Sequence, residues 1–130
     1  MTRKLSIAGV DLELHEKGSG RPLLFLHPGE GLHPERPWLD ALAKQFRVIA
    51  PCHPGWGASS LPDWLGSVDD LAYLYLDLAD RLDLKDAVLV GNSLGGWLAA
   101  EMLVRNGTRF SRLVLADPFG IKLSGRNERD

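Results

Sequence analysis

The sequence predicts an α/β fold, a mostly parallel sheet with helices on both faces and an N-terminal antiparallel hairpin. Short continuous apolar runs, which are typical of strands covered on both faces, alternate along the chain with stretches of helical spacing. That alternation favours a parallel sheet with right-handed crossovers. The glycine-rich loops follow the apolar runs, and in such sheets ligands bind at the carboxyl ends of the strands.

The predicted elements follow in chain order. Segments 5–7 and 10–15 alternate apolar and polar residues around Ala8 and Gly9, which predicts a half-exposed hairpin. Ser67 is a suitable N-cap for the second of three predicted helices, with Asp69 and Asp70 in its first turn. The buried-type strands are predicted at 23–26, 46–50, 87–90 and 113–116, and the helices at 38–45, 68–82 and 96–105.

Composition restricts the classes of function. The 130 residues fit one domain, and 45% hydrophobic and 25% charged residues are typical of a globular chain. A net charge of −2 with scattered basic residues predicts neither a nucleic-acid nor a membrane partner. The apolar stretch near the N-terminus is too short for a signal peptide or a membrane span. Cys52 is the single cysteine, which excludes a disulfide within the chain, and we expect a cytoplasmic location.

The most informative stretch is Gly91-Asn92-Ser93-Leu94-Gly95, which reads G-x-S-x-G between the apolar run 87–90 and a predicted helix. A serine hydroxyl is a useful nucleophile only when it is lifted clear of its surroundings and faces a base. A sharp strand-to-helix turn does this and holds the serine in a strained backbone conformation. The alternative is a serine that only caps the helix or forms a turn.

Four segments together resemble the α/β-hydrolase superfamily, specifically the single-domain esterase, epoxide-hydrolase and C–C-hydrolase type. They are Leu-His-Pro-Gly at 26–29, His-Pro-Gly-Trp-Gly-Ala-Ser at 53–59, Val-Gly-Asn-Ser-Leu-Gly-Gly at 90–96 and Leu-Val-Leu-Ala-Asp-Pro at 113–118. The strand-to-helix turn at 90–96 is called the elbow. Pro28 replaces the usual glycine, and Cys52 stands where an aspartate is common. The resemblance covers residues 1–130 as the N-terminal portion of one hydrolase domain, through its sixth strand, and implies that the cap and the C-terminal strands are absent.

The resemblance also implies the roles of the elbow residues. Ser93 would be the nucleophile, and the N–H groups of Leu94 and Gly29 would form the oxyanion hole. Gly91 and Gly95 would support the turn. The catalytic histidine, and an acid that orients it, would lie beyond residue 130. The resemblance predicts no cofactor, and the spacing of histidine, cysteine and acidic residues predicts no metal site.

The chain contains other residues that could take part in catalysis. His15 is expected on the surface and His33 near the pocket mouth, whereas His27 and His53 resemble histidines that orient loops. None of these histidines is expected to act as the base. Asp117 ends the last predicted strand, where some family members place their acid, although Asp-Pro at a strand end is more often a turn.

Two hypotheses of function follow. The first is a serine hydrolase that acts on a small carbonyl substrate, either a carboxylic ester or the C–C bond of a diketone-like acid. The second is a non-catalytic truncated or swapped hydrolase fragment, which binds a ligand or a partner without turnover. In both cases the strand from Leu113 to Ala116 would be an apolar sheet edge, which predicts pairing with another chain in a homodimer or an aggregate.

Overall fold

In a computed structural model of the protein, which describes residues 1–120 and residue 127, strands and helices alternate as predicted. The elements are β1 (Thr2–Ile7), β2 (Val10–Lys17), β3 (Arg21–Leu26), α1 (Pro37–Ala43), β4 (Phe46–Pro51), α2 (Val68–Arg81), β5 (Ala87–Asn92), α3 (Leu94–Arg105) and β6 (Phe110–Ala116). Of the predicted domain portion 1–130, residues 121–126 and 128–130 lie outside the described residues.

The strands form one sheet in the order β1-β2-β4-β3-β5-β6. The hairpin of β1 and β2 is antiparallel, and β2 joins it to the rest of the sheet by antiparallel pairing with β4, where Leu14 lies opposite Pro51. The pairs β3–β4, β3–β5 and β5–β6 are parallel. The prediction of a mostly parallel sheet with an N-terminal hairpin is therefore confirmed.

The helices cover both faces, as predicted. Leucines and alanines of α2 and α3 pack with β-strand residues such as Leu24 and Leu89 in the larger core, and Leu39 of α1 packs on the opposite face against Phe25 and Val48. Ser67 caps α2, because its Oγ accepts a hydrogen bond of 3.1 Å from the N–H of Asp70. None of the helices in the described part of the chain combines the length and apolar character that a membrane span requires.

Several element boundaries differ from the sequence prediction by one to three residues, and two of these differences have a plain structural reason. Helix α3 begins at Leu94 rather than residue 96, because the carbonyl of Ser93 already accepts a hydrogen bond from Gly96. Strand β6 begins at Phe110 rather than residue 113. Phe110 pairs with Ala87 and Arg112 pairs with Val88, and the register shifts between these two pairs, so the strand also takes in Ser111 and Arg112. Those two side chains are exposed and polar, so no apolar pattern marks them as strand residues.

Candidate active site

The strand β5 ends at Asn92, and helix α3 begins at Leu94, so that Ser93 alone forms the turn between them. Its backbone has φ 56° and ψ −115°, a conformation that L-residues rarely adopt and that costs on the order of 1–3 kcal/mol. The Ser93 hydroxyl makes no hydrogen bond that caps α3. The hydroxyl is therefore not explained as a helix cap, which was the alternative interpretation of this serine.

Backbone hydrogen bonds hold Ser93 in this conformation. Its N–H donates to the carbonyl of Ala116 over 2.9 Å, which ties the turn to the end of β6. Its carbonyl accepts from the N–H groups of Gly96 (2.9 Å), Trp97 (3.2 Å) and Phe119 (3.1 Å). Strain of this kind persists only where the surroundings enforce it. Here the first turn of α3 and the segment after β6 both do so.

Two glycines allow the chain to approach itself closely at this turn. A Cβ atom added at Gly95 would overlap the carbonyl oxygen of Leu26, and one added at Gly91 would overlap the carbonyl oxygen of Gly95. The first contact brings α3 against the end of β3, and the second lets β5 turn sharply into α3. The motif therefore needs glycine at both positions for steric reasons.

The N-terminus of α3 lies directly beside Ser93. The first N–H groups of a helix lack partners within the helix and carry the positive end of its dipole, so they favour a negative charge. Leu94 supplies the first of these N–H groups, and the first turn holds no acidic residue. An oxyanion that forms next to Ser93 would meet this end of the helix.

The loop after β3 lies near the elbow, because β3 and β5 are parallel neighbours in which Leu26 pairs with Gly91. Within that loop Gly31 donates to the carbonyl of Pro28 over 3.0 Å. The indole Nε1 of Trp56 donates to the carbonyl of Gly29, also over 3.0 Å. A Cβ at Gly29 would meet nothing within 4 Å, so one side of this residue faces open space. The roles of Gly29 and Leu94 as oxyanion donors remain predictions.

His27 and His53 are fully buried and bind each other's loops. The Nε2 of His27 accepts from the N–H of His53 over 2.8 Å, so its Nδ1 carries the proton and donates to the carbonyl of Pro28. The Nε2 of His53 donates to the carbonyl of His27 over 2.8 Å, which leaves its Nδ1 to accept from the hydroxyl of Tyr75 over 2.6 Å. Both rings orient loops, as the resemblance implies.

Burial lowers the pKa of His27, and burial followed by the neighbouring His27 ring lowers the pKa of His53 to about 3. Both imidazoles are therefore neutral near pH 7, with every ring nitrogen engaged. A general base must reach the nucleophile within hydrogen-bond distance and have a free nitrogen. Neither histidine meets that requirement.

Tyr75 is the residue of this network that sequence reasoning missed. Its position in α2 fits the apolar spacing of that helix, and its side chain is fully buried. The signal was the hydroxyl itself, because a buried tyrosine needs a hydrogen-bond partner. Burial also raises the pKa of Tyr75, so its hydroxyl stays protonated and able to donate to His53.

The structure places the other sequence candidates as follows. His15 is not on the open surface as predicted: its ring is 15% exposed and its Nε2 lies 2.8 Å from Glu13, because strand β2 is covered on this face. His33 is exposed and lies 3.6 Å from Glu35. Asp117 is exposed, has φ 44° and directly follows β6, so it belongs to a turn beside the elbow.

A cavity of about 530 Å³ opens on the α1 face of the sheet next to the elbow. Its apolar wall includes Phe25, Trp38 and Val90, and its polar rim includes Glu30, His33, Arg36 and Asn92. Asn92 lines this space together with Val90, which points to the same face of β5, whereas Ser93 lies in the turn after the strand and does not line it. The cavity therefore adjoins the nucleophile candidate without containing it.

Comparison with known proteins shows one consistent family. The family model described as "Alpha/beta hydrolase family" matches residues 23–129. The 2-hydroxymuconate semialdehyde hydrolase of Pseudomonas sp. (strain CF600) is 36% identical over 124 residues, which cover 92% of this chain and 44% of that protein. The 2-hydroxy-6-oxo-2,4-heptadienoate hydrolase of Pseudomonas putida is 33% identical over 125 residues, which cover 92% and 45%.

Among solved structures, a meta-cleavage product hydrolase from Pseudomonas fluorescens IP01 superimposes with a TM-score of 0.82 at 31% identity. The match covers 94% of this chain and 47% of that one. The chain thus spans about half the length of the relatives it matches.

Because burial lowers the pKa of His53, we expect the free energy of unfolding to depend on pH. Between about pH 3 and pH 6.5 the unfolded chain binds a proton at position 53 that the folded chain excludes, so the free energy of unfolding falls as pH drops through this window. We expect the replacement His53→Gln to make the slope shallower by about 1 kcal/mol per pH unit. Urea unfolding between about pH 6.5 and pH 4.5 measures this.

The matched control for that experiment is His33→Gln, which removes an exposed histidine and should change the slope much less, because His33 is the smallest of the influences on the pKa of His27. Equal slopes for the wild-type protein and the His53→Gln variant would contradict the prediction.

Proposed function

The chain belongs to the alpha/beta hydrolase family, and from that premise we propose that it is part of a serine hydrolase whose nucleophile is Ser93. The observation that carries the proposal is the conformation of Ser93, which sits alone between β5 and α3 with φ 56°. A strained serine at this position points its hydroxyl away from the strand and beside the free N–H groups at the start of a helix.

We propose the following first step. Ser93 Oγ attacks the carbonyl carbon of a small substrate, and the carbonyl oxygen becomes an oxyanion that accepts hydrogen bonds from the N–H groups of Leu94 and Gly29. The serine proton passes to a histidine, which then protonates the leaving group. An acyl-enzyme remains, and water cleaves it in the reverse sequence.

The base in this proposal lies outside the 130 residues. His27 and His53 are engaged at both ring nitrogens, His15 is held by Glu13, and the remaining histidine, His33, lies on the exposed rim of the cavity. Support comes from the relatives, which are about twice as long as this chain. The rest of the domain would supply the histidine and the acid that orients it.

The substrate class can be narrowed within the same proposal. Two of the relatives are named as hydrolases of 2-hydroxymuconate semialdehyde and 2-hydroxy-6-oxo-2,4-heptadienoate. Both names describe unsaturated oxo compounds. These names favour the C–C bond of a diketone-like acid over a simple carboxylic ester, although a serine nucleophile with an oxyanion hole serves both reactions.

The second candidate function is a fragment that binds without turnover. It is favoured by the engagement of His27 and His53, which makes neither available as a base for Ser93. It is also favoured by the exposed outer edge of β6, where another polypeptide could pair. Loss of the base typically leaves only the acceleration that binding and the oxyanion hole provide.

We expect a serine-reactive fluorophosphonate probe to separate these candidates. In a polypeptide that also contains the proposed C-terminal half, Ser93 should be labelled, and Ser93→Ala should abolish the labelling. The 130-residue chain alone should react more slowly by at least about 10³-fold, because the base is missing. Gel fluorescence followed by peptide mass spectrometry measures the rate and the site.

Ser6→Ala is the matched control, since Ser6 is exposed in the hairpin and should not affect labelling. Undiminished labelling of the Ser93→Ala variant would rule out Ser93 as the nucleophile.

We also propose that the outer edge of β6 pairs with another chain, in the simplest case a second copy. Among the described residues no strand pairs with that edge, and the apolar side chains of Leu113 and Val114 are 38% and 50% exposed. A strand edge of this kind offers unpaired N–H and C=O groups to any neighbouring strand.

The edge predicts a concentration-dependent dimer or aggregate of the 130-residue chain. Val114→Lys should weaken the association, because charged side chains disfavour pairing at a strand edge. Size-exclusion chromatography with light scattering measures the mass. Val104→Lys, at an apolar residue of α3 that is 78% exposed, is the control and should leave it unchanged. A monodisperse wild-type monomer at high concentration would contradict the proposal.

A further inference from the structure

A second group of reactive side chains lies on the sheet away from the elbow, at the junction of β2 and β4. The two strands are antiparallel, and the N–H of Cys52 donates to the carbonyl of Glu13 over 2.8 Å. Because side chains alternate along a strand, Glu13 and His15 point to the same face of β2. Cys52, directly after β4, therefore joins them in one cluster.

The potential ligand atoms of this cluster are close together. One atom from each of Glu13, His15 and Cys52 lies within 4.8 Å of the others, and His15 Nε2 is 2.8 Å from Glu13 Oε1. Ligand atoms around tetrahedral zinc lie roughly 3.3–3.8 Å apart, given bonds of about 2.0–2.3 Å. A change of about 1 Å, well within the reach of side-chain rotation, would bring the three atoms into that arrangement.

The surroundings fix two of the three side chains. The N–H of Ala58 donates to Glu13 Oε2 over 2.5 Å, which turns Oε1 toward His15. The hydroxyl of Thr2 lies 3.1 Å from His15 Nδ1. A metal-binding imidazole commonly donates its other N–H to such a partner, which sets its tautomer and orientation.

The backbone of Gly57, which has no side chain, covers the cluster of Glu13, His15 and Cys52. Gly57 has φ 54°, and a Cβ atom there would lie 2.7 Å from Glu13 Oε2 and 3.0 Å from Cys52 Sγ. A side chain at position 57 would therefore collide with the Glu13 carboxylate and with Cys52 Sγ, so only glycine lets the backbone cover the cluster this closely. The Cys52 residue is only 5% exposed, and Glu13 and His15 are each less than one-fifth exposed, so the cluster is sheltered from bulk water.

The hydrogen bond between His15 Nε2 and Glu13 Oε1 accounts for their contact but not for the thiol beside them. Burial and the negative charge of Glu13 raise the pKa of the Cys52 thiol to about 11. A divalent cation at the centre would compensate both the carboxylate and a thiolate. Sulfur, imidazole nitrogen and a carboxylate oxygen together suit zinc, whereas magnesium and calcium prefer oxygen ligands only.

We propose that Glu13 Oε1, His15 Nε2 and Cys52 Sγ form a three-ligand site for a zinc-like divalent cation, with water as the fourth ligand. Binding breaks the S–H bond of Cys52 and releases that proton to solvent. The proton that His15 Nε2 donates to Glu13 moves through solvent to Nδ1, where it donates to Thr2, so that Nε2 is free to bind the cation. Spacing alone gives no sign of this site, because Cys52 is distant in sequence and strand pairing brings it to the other two residues.

The test uses protein without a histidine tag and two metal probes. Zn²⁺ affinity is measured by competition with a chromophoric chelator, and Co²⁺ is added to record the near-ultraviolet absorption of a cobalt–thiolate bond. We expect one ion per chain, a cobalt–thiolate band, and affinity that rises with pH because a proton is released. The replacements Cys52→Ser and His15→Gln should each weaken Zn²⁺ binding by at least about tenfold, and Cys52→Ser should abolish the band.

The matched control is His33→Gln, which removes an exposed histidine outside the cluster and should bind Zn²⁺ like the wild-type protein. Circular dichroism shows whether each variant is folded. If Cys52→Ser, at a buried position, does not fold, His15→Gln still tests the site independently. Equal Zn²⁺ affinity in the wild type and the folded variants would overturn the proposal. Absence of binding, or cobalt binding without the thiolate band, would do the same.

Discussion

The strained backbone of Ser93 is the constraint on which the rest of the site depends. Its N–H and carbonyl make four hydrogen bonds, which fix it between the end of β6 and the first turn of α3. Gly91 and Gly95 permit the close contacts that surround it. Since a conformation that costs on the order of 1–3 kcal/mol survives only where neighbours enforce it, the sheet and α3 together support this one residue.

The parallel sheet determines which loops can meet Ser93. Strands β3, β4 and β5 are neighbours and end at the same edge, so the segments after them converge there. The buried pair of His27 and His53 then locks two of these segments together, and Tyr75 fastens the pair to α2. A fully satisfied polar network of this kind specifies one arrangement, because any broken bond would leave a buried polar group without a partner.

The fold and the nucleophile candidate could be predicted from sequence because both have local signals. Apolar runs marked the strands, and the spacing of glycine and serine marked the turn at Ser93. Contacts between distant residues had no such signal. The bond between Tyr75 and His53 and the cluster of Glu13, His15 and Cys52 depend on the register of strands and on helix packing. For the same reason the sequence pattern wrongly predicts His15 on the surface.

The most direct test of this account compares the stability of two variants at position 93. At an ordinary backbone conformation alanine stabilises a protein over glycine by roughly 0.5–1 kcal/mol, because glycine loses more conformational freedom on folding. At φ 56° and ψ −115° glycine relieves strain that alanine retains. Urea unfolding should therefore show Ser93→Gly to be more stable than Ser93→Ala by about 1 kcal/mol. A Ser93→Ala variant that is the more stable of the two would contradict the strained turn and, with it, the proposed nucleophile.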